Sequence, residues 1–313
     1  MVADPVFRLG FREPDIDTNL PFSDGTVKIE GFELQIVPFK GPDSVDAWDG
    51  SFGGLMQSKG KGEHPWVSIP AYPNRKFRTQ YIFVNTASGI ESPKDLEGKR
   101  VFVGGTAGIW ARGALFNYYE VDFTRIHWFM AGSEVKPWAP GIKVDPVPRD
   151  ANLDEMLLNG DVDCVIEPNV LPSITRKDPR VRRLFQDYKT EEQKYFKATG
   201  IFPISHVMTL NQGFVERYPH APVALLKACR EARDVAFDRI QGSGPYYLTL
   251  TWASAAMDEV RRVMGENYFA YNIGDNVKPL EAMMQFAQQF GVTPRRLDYM
   301  SFFDTEAAAL PGA

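Results

Sequence analysis

The chain has 313 residues, of which 44% are hydrophobic and 24% charged, and a formal net charge of −5. That length accommodates two domains with a substantial core, and the acidic balance argues against partners that need concentrated basic surface, nucleic acid or an anionic membrane. No stretch approaches the length of a membrane span, and the N-terminus lacks a basic region followed by an apolar run, so a cytoplasmic protein is expected.

Short apolar runs bounded by turn residues predict strands at "VFRLGF" (6–11), "FELQIVP" (32–38), "WVSIPAY" (66–72), "YIFVN" (81–85), "RVFVGG" (100–105), "IHWFMA" (126–131), "VDCVIE" (162–167) and "SHVMTL" (205–210). Between them, "IWARGALFNYYE", "NLDEMLLNGD" and "EEQKYFKATG" read as helices. Strand–helix alternation of this kind predicts an α/β protein with largely parallel sheets. After residue 210 the pattern turns helical. In 221–240, Pro222 suits a first helical turn, and Leu225, Cys229, Ala232, Ala236 and Ile240 mark one face. Further helices are expected near 255–265 and 277–290. Cys164 and Cys229 lie in apolar surroundings and read as small core residues, not as a disulfide or metal framework.

Three junctions carry Gly with Ser or Thr beside a predicted strand end: "DGSFGG" (49–54), "GGTAG" (104–108) and "AGS" (131–133). Each alone reads as a tight turn. Helix N-termini at such turns present free N–H groups and partial positive charge, so together with the arginines of "NRKFR" (74–78) they favour an anion-binding cleft. "GGTAG" matches neither the dinucleotide fingerprint nor the phosphate loop. His206, in the apolar "GIFPISHVMTL" (200–210), reads either as a core histidine satisfied by a carbonyl or as a proton carrier at a cleft wall.

Several strings then point to one family. "YPNRKFRTQYIFVNTASGIESPKDLEGKRVFV" (72–103) resembles the hinge region of the type II periplasmic binding protein fold. "IHWFMAG" (126–132), "DPRVRRLFQDY" (178–188) and "TGIFPISHVMTL" (199–210) narrow the resemblance to the 4,5-dihydroxyphthalate decarboxylase family, from about residue 6 to about residue 304. The resemblance implies a two-lobed α/β fold with ligand between the lobes, residues 1–98 plus 204–313 forming lobe I and 99–203 lobe II. It also implies a cytoplasmic carboxy-lyase that needs no cofactor, acting on a dihydroxylated aromatic dicarboxylate, with no nucleic-acid or membrane partner; no metal ligands are expected, and the use of a divalent metal is left open. Oligomeric state is open, and a homo-oligomer is compatible with it. Two places depart from the family pattern. The basic stretch continues Phe77-Arg78-Thr79 where the family has F-R-H, and the turn before "W-x-R-G" is the short "GGTAGIWARG" (104–113); both are expected to touch ligand.

Decarboxylating an electron-rich aromatic acid requires protonation of the ring carbon that loses CO2, and fixed donors to orient the carboxylates. His206 is the expected general acid. Glu134 and Glu167, each following a predicted strand, are the candidate cleft carboxylates, and Glu167 would pair with His206 or hold a substrate hydroxyl; as bland alternatives both are surface carboxylates. Arg75 and Arg78 are candidates to grip a carboxylate with a guanidinium fork. Arg112, in the first turns of a helix, opposes the helix dipole and so calls for a ligand or an acidic partner. Ser51 and Thr106 offer hydroxyl contacts or plain helix caps. Trp110 and Trp128 offer stacking surface for an aromatic ring, or core packing. A non-catalytic binding protein for an aromatic acid, or a different lyase or isomerase, would use the same groups.

Overall fold

The computed structural model describes residues 4–105, 108–242 and 247–312. In chain order the first segment contains β1 (Val6–Gly10), α1 (Leu20–Ser23), β2 (Glu33–Ile36), β3 (Ala47–Ser51), α2 (Phe52–Gly60) and β4 (Trp66–Ser68). There follow β5 (Ile82–Asn85), β6 (Arg100–Val103), α3 (Gly108–Asn117), β7 (His127–Ala131), β8 (Lys143–Val147) and α4 (Leu153–Asn159). Next come β9 (Cys164–Ile166), α5 (Pro172–Thr175), β10 (Val181–Arg183) and α6 (Tyr188–Thr199). The chain ends with β11 (His206–Asn211), α7 (Gln212–Arg217), α8 (Ala221–Gln241), α9 (Ala253–Met264), α10 (Val277–Gln289) and α11 (Thr305–Ala309).

Two compact units result. One comprises Met1–Arg75, Ile204–Leu280 and Asp298–Ala313; the other comprises Lys76–Pro203 and Glu281–Leu297. These bounds differ from the expected ones in two respects. The first change of unit falls after Arg75 and not near residue 98, because β5 pairs with β9 and β10 in the second sheet. Residues 281–297, expected in the first lobe, go to the second unit.

In the first unit the sheet order is β2-β1-β3-β11-β4. β1 is parallel to β2 and β3, whereas β11 runs antiparallel to β3 and β4. The alternation of β1 buries Phe7 and Leu9 completely. The Phe7 ring meets Phe32 and Phe214 edge-on at centroid separations of 5.2 and 5.0 Å, a geometry that adds to the gain from burial. α8 packs on the face read from sequence, burying Leu225, Cys229, Ala232 and Ala236, and stops at Gly242 in the left-handed region (φ 82°).

The second unit's sheet has the order β10-β5-β9-β6-β7-β8, with β9, β6, β7 and β8 mutually parallel. Its core gathers Phe83, Phe102, Leu157, Val162 and Val165. β3, β8 and β10 were not expected from sequence: β8 carries Pro146 and lies at the sheet edge, where a missing N–H is tolerated. Both cysteines are free and buried, as the sequence implied. Among the described residues no helix is long and apolar enough to cross a membrane.

Candidate active site

Open α/β sheets bind ligands beyond the carboxyl ends of parallel strands, where the strand order reverses direction. In the first unit that point lies between β1 and β3, since the chain places β2 on one side of β1 and β3 on the other. The side chains there are Asp49, Ser51 and His206. Antiparallel register pairs His206 with Ser51 and Met208 with Asp49, so the period of two puts all four side chains on one face.

His206 Nδ1 lies 3.1 Å from Asp49 Oδ2. Asp49 is 0% exposed, and its other oxygen accepts the backbone N–H of Arg12, just past β1. A carboxylate fixed on one side by a backbone donor orients the ring on the other. The strand entry is held as well, for the N–H groups of Ser205 and His206 both donate to the carbonyl of Asn74, at 2.9 and 3.1 Å. His206 keeps partial exposure, with 13% of its side chain accessible. Ser51 ends β3 and stands at the N-cap position of α2, and the first N–H of that helix donates to the Ser205 carbonyl. The histidine is therefore paired, and the carboxylate beside it in this structure is Asp49.

Asp49 was missed in the sequence because "DGSFGG" reads as a turn. The strand runs through Ser51 and α2 begins at Phe52. The available signal was Phe52, Leu55 and Met56 at helical spacing, all buried on α2, which places the preceding residues at a strand end.

In the second unit the reversal lies between β6 and β9, because β7 and β8 extend to one side of β6 and β9 returns on the other. Glu167 directly follows β9 and Gly104 directly follows β6. A Cβ on Gly104 would stand 1.8 Å from Glu167 Oε1, so the carboxyl group rests against bare backbone. Burial raises the Glu167 pKa to about 6, since desolvation disfavours the charged form and no cation offsets it. At Gly108 a Cβ would stand 2.4 Å from Val103 Cγ2, so the helix start packs closely on β6. Thr106 lies outside the described residues.

The other expected residues fall differently. Arg75 is 7% exposed. Its Nη1 donates to Asn276 Oδ1 at 2.7 Å, the rings of Tyr72 and Phe269 lie within 6 Å of its Cζ, and burial pushes its pKa down to about 10. It is a core residue of the first unit. Arg78, buried in the second unit, lies 5.6 Å from the Tyr81 ring. Thr79, expected to meet ligand, donates its hydroxyl to Glu192 Oε1 at 2.7 Å. Trp110 and Trp128 are packing residues and not stacking platforms. Trp110 meets Phe286 edge-on, and Trp128, 0% exposed, donates to the Phe123 carbonyl. Glu134 is exposed in the loop after β7, away from the reversal point at β6. Arg112 is buried against Trp138 and Phe290. Among the described residues no group of three His, Cys, Asp or Glu side chains converges as a metal site.

The fold is that of periplasmic solute-binding proteins. The chain superposes on the periplasmic aliphatic sulphonate binding protein SsuA from Escherichia coli with a TM-score of 0.57 at 14% identity, covering 97% of this chain and 93% of that one. It superposes on the desulfurization enzyme DSZB with a TM-score of 0.53 at 16% identity, covering 96% and 97%. At these identities the likeness defines the architecture alone. No family model matches the chain. In sequence, the chain is 26% identical over 317 residues to the 4,5-dihydroxyphthalate decarboxylase of Comamonas testosteroni, covering 95% of this chain and 96% of the relative. It is 27% identical over 199 residues to the enzyme of the same name from Pseudomonas putida, covering 57% and 77%. The resemblance carried by the sequence motifs is thereby borne out.

Proposed function

We propose that this chain is a carboxy-lyase that converts 4,5-dihydroxyphthalate to 3,4-dihydroxybenzoate and CO2. The observation that carries the reading is the Asp49–His206 pair at the strand-order reversal of the first sheet, in a chain similar to one decarboxylase of that name over 95% of its length. The imidazolium of His206 gives its Nε2 proton to the ring carbon bearing the departing carboxylate, while the phenol para to that carbon supplies electron density. The bond from ring to carboxylate then breaks, its electron pair restores aromaticity, and CO2 leaves. One proton is consumed and one CO2 released. After transfer the ring keeps Nδ1–H on Asp49, so the same carboxylate serves both protonation states. Ser51 and the positive end of α2 favour a carboxylate beside His206. A positioned acid of this kind contributes about 10²–10⁴ in rate.

The reading places the chain in the cytoplasm, as the family resemblance implies; two buried free thiols fit a reducing compartment. The test is an ultraviolet time course with 4,5-dihydroxyphthalate, with and without EDTA. Conversion to 3,4-dihydroxybenzoate supports the proposal, and tight binding without turnover favours a receptor. His206→Asn is expected to bind substrate while losing at least 100-fold in kcat, in line with the contribution of a general acid. Near-wild-type turnover by that variant removes His206 from the mechanism.

A further inference from the structure

Arg112 is charged, buried and incompletely bonded. It is 2% exposed. Its Nε donates to the Gly108 carbonyl at 3.3 Å, whereas Nη1, shut off from solvent, has no hydrogen-bond partner among the described residues. Among the described residues no neighbouring charge offsets the burial, which pushes its pKa down to about 9. Such groups ordinarily find a partner, because an unpaired buried charge is costly.

Its surroundings say what partner fits. The rings of Trp138 and Phe290 lie 4.9 and 4.8 Å from Cζ. Aromatic contacts of this kind engage the guanidinium without using its N–H donors, and those donors match a carboxylate. The Nε bond to the first residue of α3 folds the guanidinium back toward that helix's N-terminus, where the partial charge is also positive. Two positive sources meet with no anion between them among the described residues. A methionine would fill the space between the two rings without the electrostatic cost, so packing alone does not account for an arginine here.

We infer that Arg112 anchors a carboxylate-binding site in the second unit, which takes the carboxylate of a small aromatic acid on Nη1 beside the first turn of α3. Trp138, half-buried in the loop between β7 and β8, is the covering ring that moves to admit it. The inference stands apart from turnover, because it concerns binding by an element that the proposed proton transfer does not use.

The test uses the full chain and phthalate, which lacks the hydroxyls that drive decarboxylation. Titration is followed by tryptophan fluorescence, with Trp138→Phe identifying the part of the signal that comes from Trp138. The wild type is expected to show a saturable Trp138-dependent change, with Kd raised at least 30-fold in Arg112→Met. In Arg112→Lys, which keeps the charge without the fork, an intermediate Kd is expected. Without ligand, Arg112→Met is expected to melt no lower than the wild type, because it removes an unpaired buried cation. A Kd for Arg112→Met within threefold of wild type overturns the inference. So does a ligand-free melting point lower by several degrees in both variants, which marks a structural cation. An equal response to sulfate at the same concentration overturns the carboxylate assignment. If the wild type binds phthalate through Arg112 yet never decarboxylates 4,5-dihydroxyphthalate, the proposed function fails and this inference does not.

Discussion

Replacing Glu167 by Gln tests whether the second unit holds its carboxyl group in a desolvated setting. The wild-type group titrates at about 6 in the folded chain, against an ordinary value of 4.5, with burial as the cause. The folded state therefore binds the Glu167 proton more tightly than the unfolded state does. Its contribution to stability is fully present below pH 4.5 and is lost as pH rises through 6. The rise corresponds to about 2 kcal/mol, which partial solvent access reduces to about 1 kcal/mol. Gln has nearly the same shape and no charge, so it avoids this loss. We expect Glu167→Gln to match the wild type at pH 4.5 and to exceed it by about 1 kcal/mol at pH 8, or ~2–4 °C in Tm. Melting curves of both proteins at half-unit intervals from pH 4.5 to 8 give the comparison. A constant offset across that range, or a variant that is less stable at pH 8, would refute the assignment of the shift to Glu167.

Asp49→Asn is expected to lower kcat by about 10²–10⁴ with KM little changed, as expected when a histidine's orienting carboxylate is neutralised; steady-state kinetics read this directly, and loss confined to KM would contradict it. For Gly104→Ala, the added Cβ must displace the Glu167 carboxyl group that it would otherwise meet at 1.8 Å. The displaced group is the far end of a flexible side chain, so the protein is expected to fold with a Tm within a few degrees of wild type. Its pH-dependent stability should flatten toward that of Glu167→Gln, and an unaltered pH profile would show that Glu167 is not held by that approach.

Much of the fold was legible because burial on both faces leaves a plain signature. In β5, β6 and β9 every apolar side chain is buried, and such short apolar runs read as strands whatever their neighbours. β3 was not legible, because its Asp49, Gly50 and Ser51 are residues that also make turns. Only pairing with β11 commits them to a strand. The site followed the same division. His206 stood out as a lone imidazole in apolar sequence, but its partner lies 157 positions away, and no periodicity connects them. Arg75 and Arg78 announced a basic stretch, yet side-chain direction at a crossover is a tertiary matter, and Arg75 turns into the core. Glu134 and Glu167 follow comparable strands, and only strand order separates them: β9 borders the reversal and β7 does not.

The division of the chain into interleaved segments also sets when each unit can close during synthesis. The second unit's first stretch ends at Pro203, but Phe286 and Phe290, which pack on Trp110 and Phe123, come from Glu281–Leu297. The first unit likewise cannot bring β4 into its sheet until β11 arrives between it and β3. At elongation rates of about 5–20 residues per second, the interval between residues 203 and 297 is roughly 5–20 s. During that time the second unit's aromatic face waits uncovered on the ribosome, a window in which a holding chaperone has something to hold.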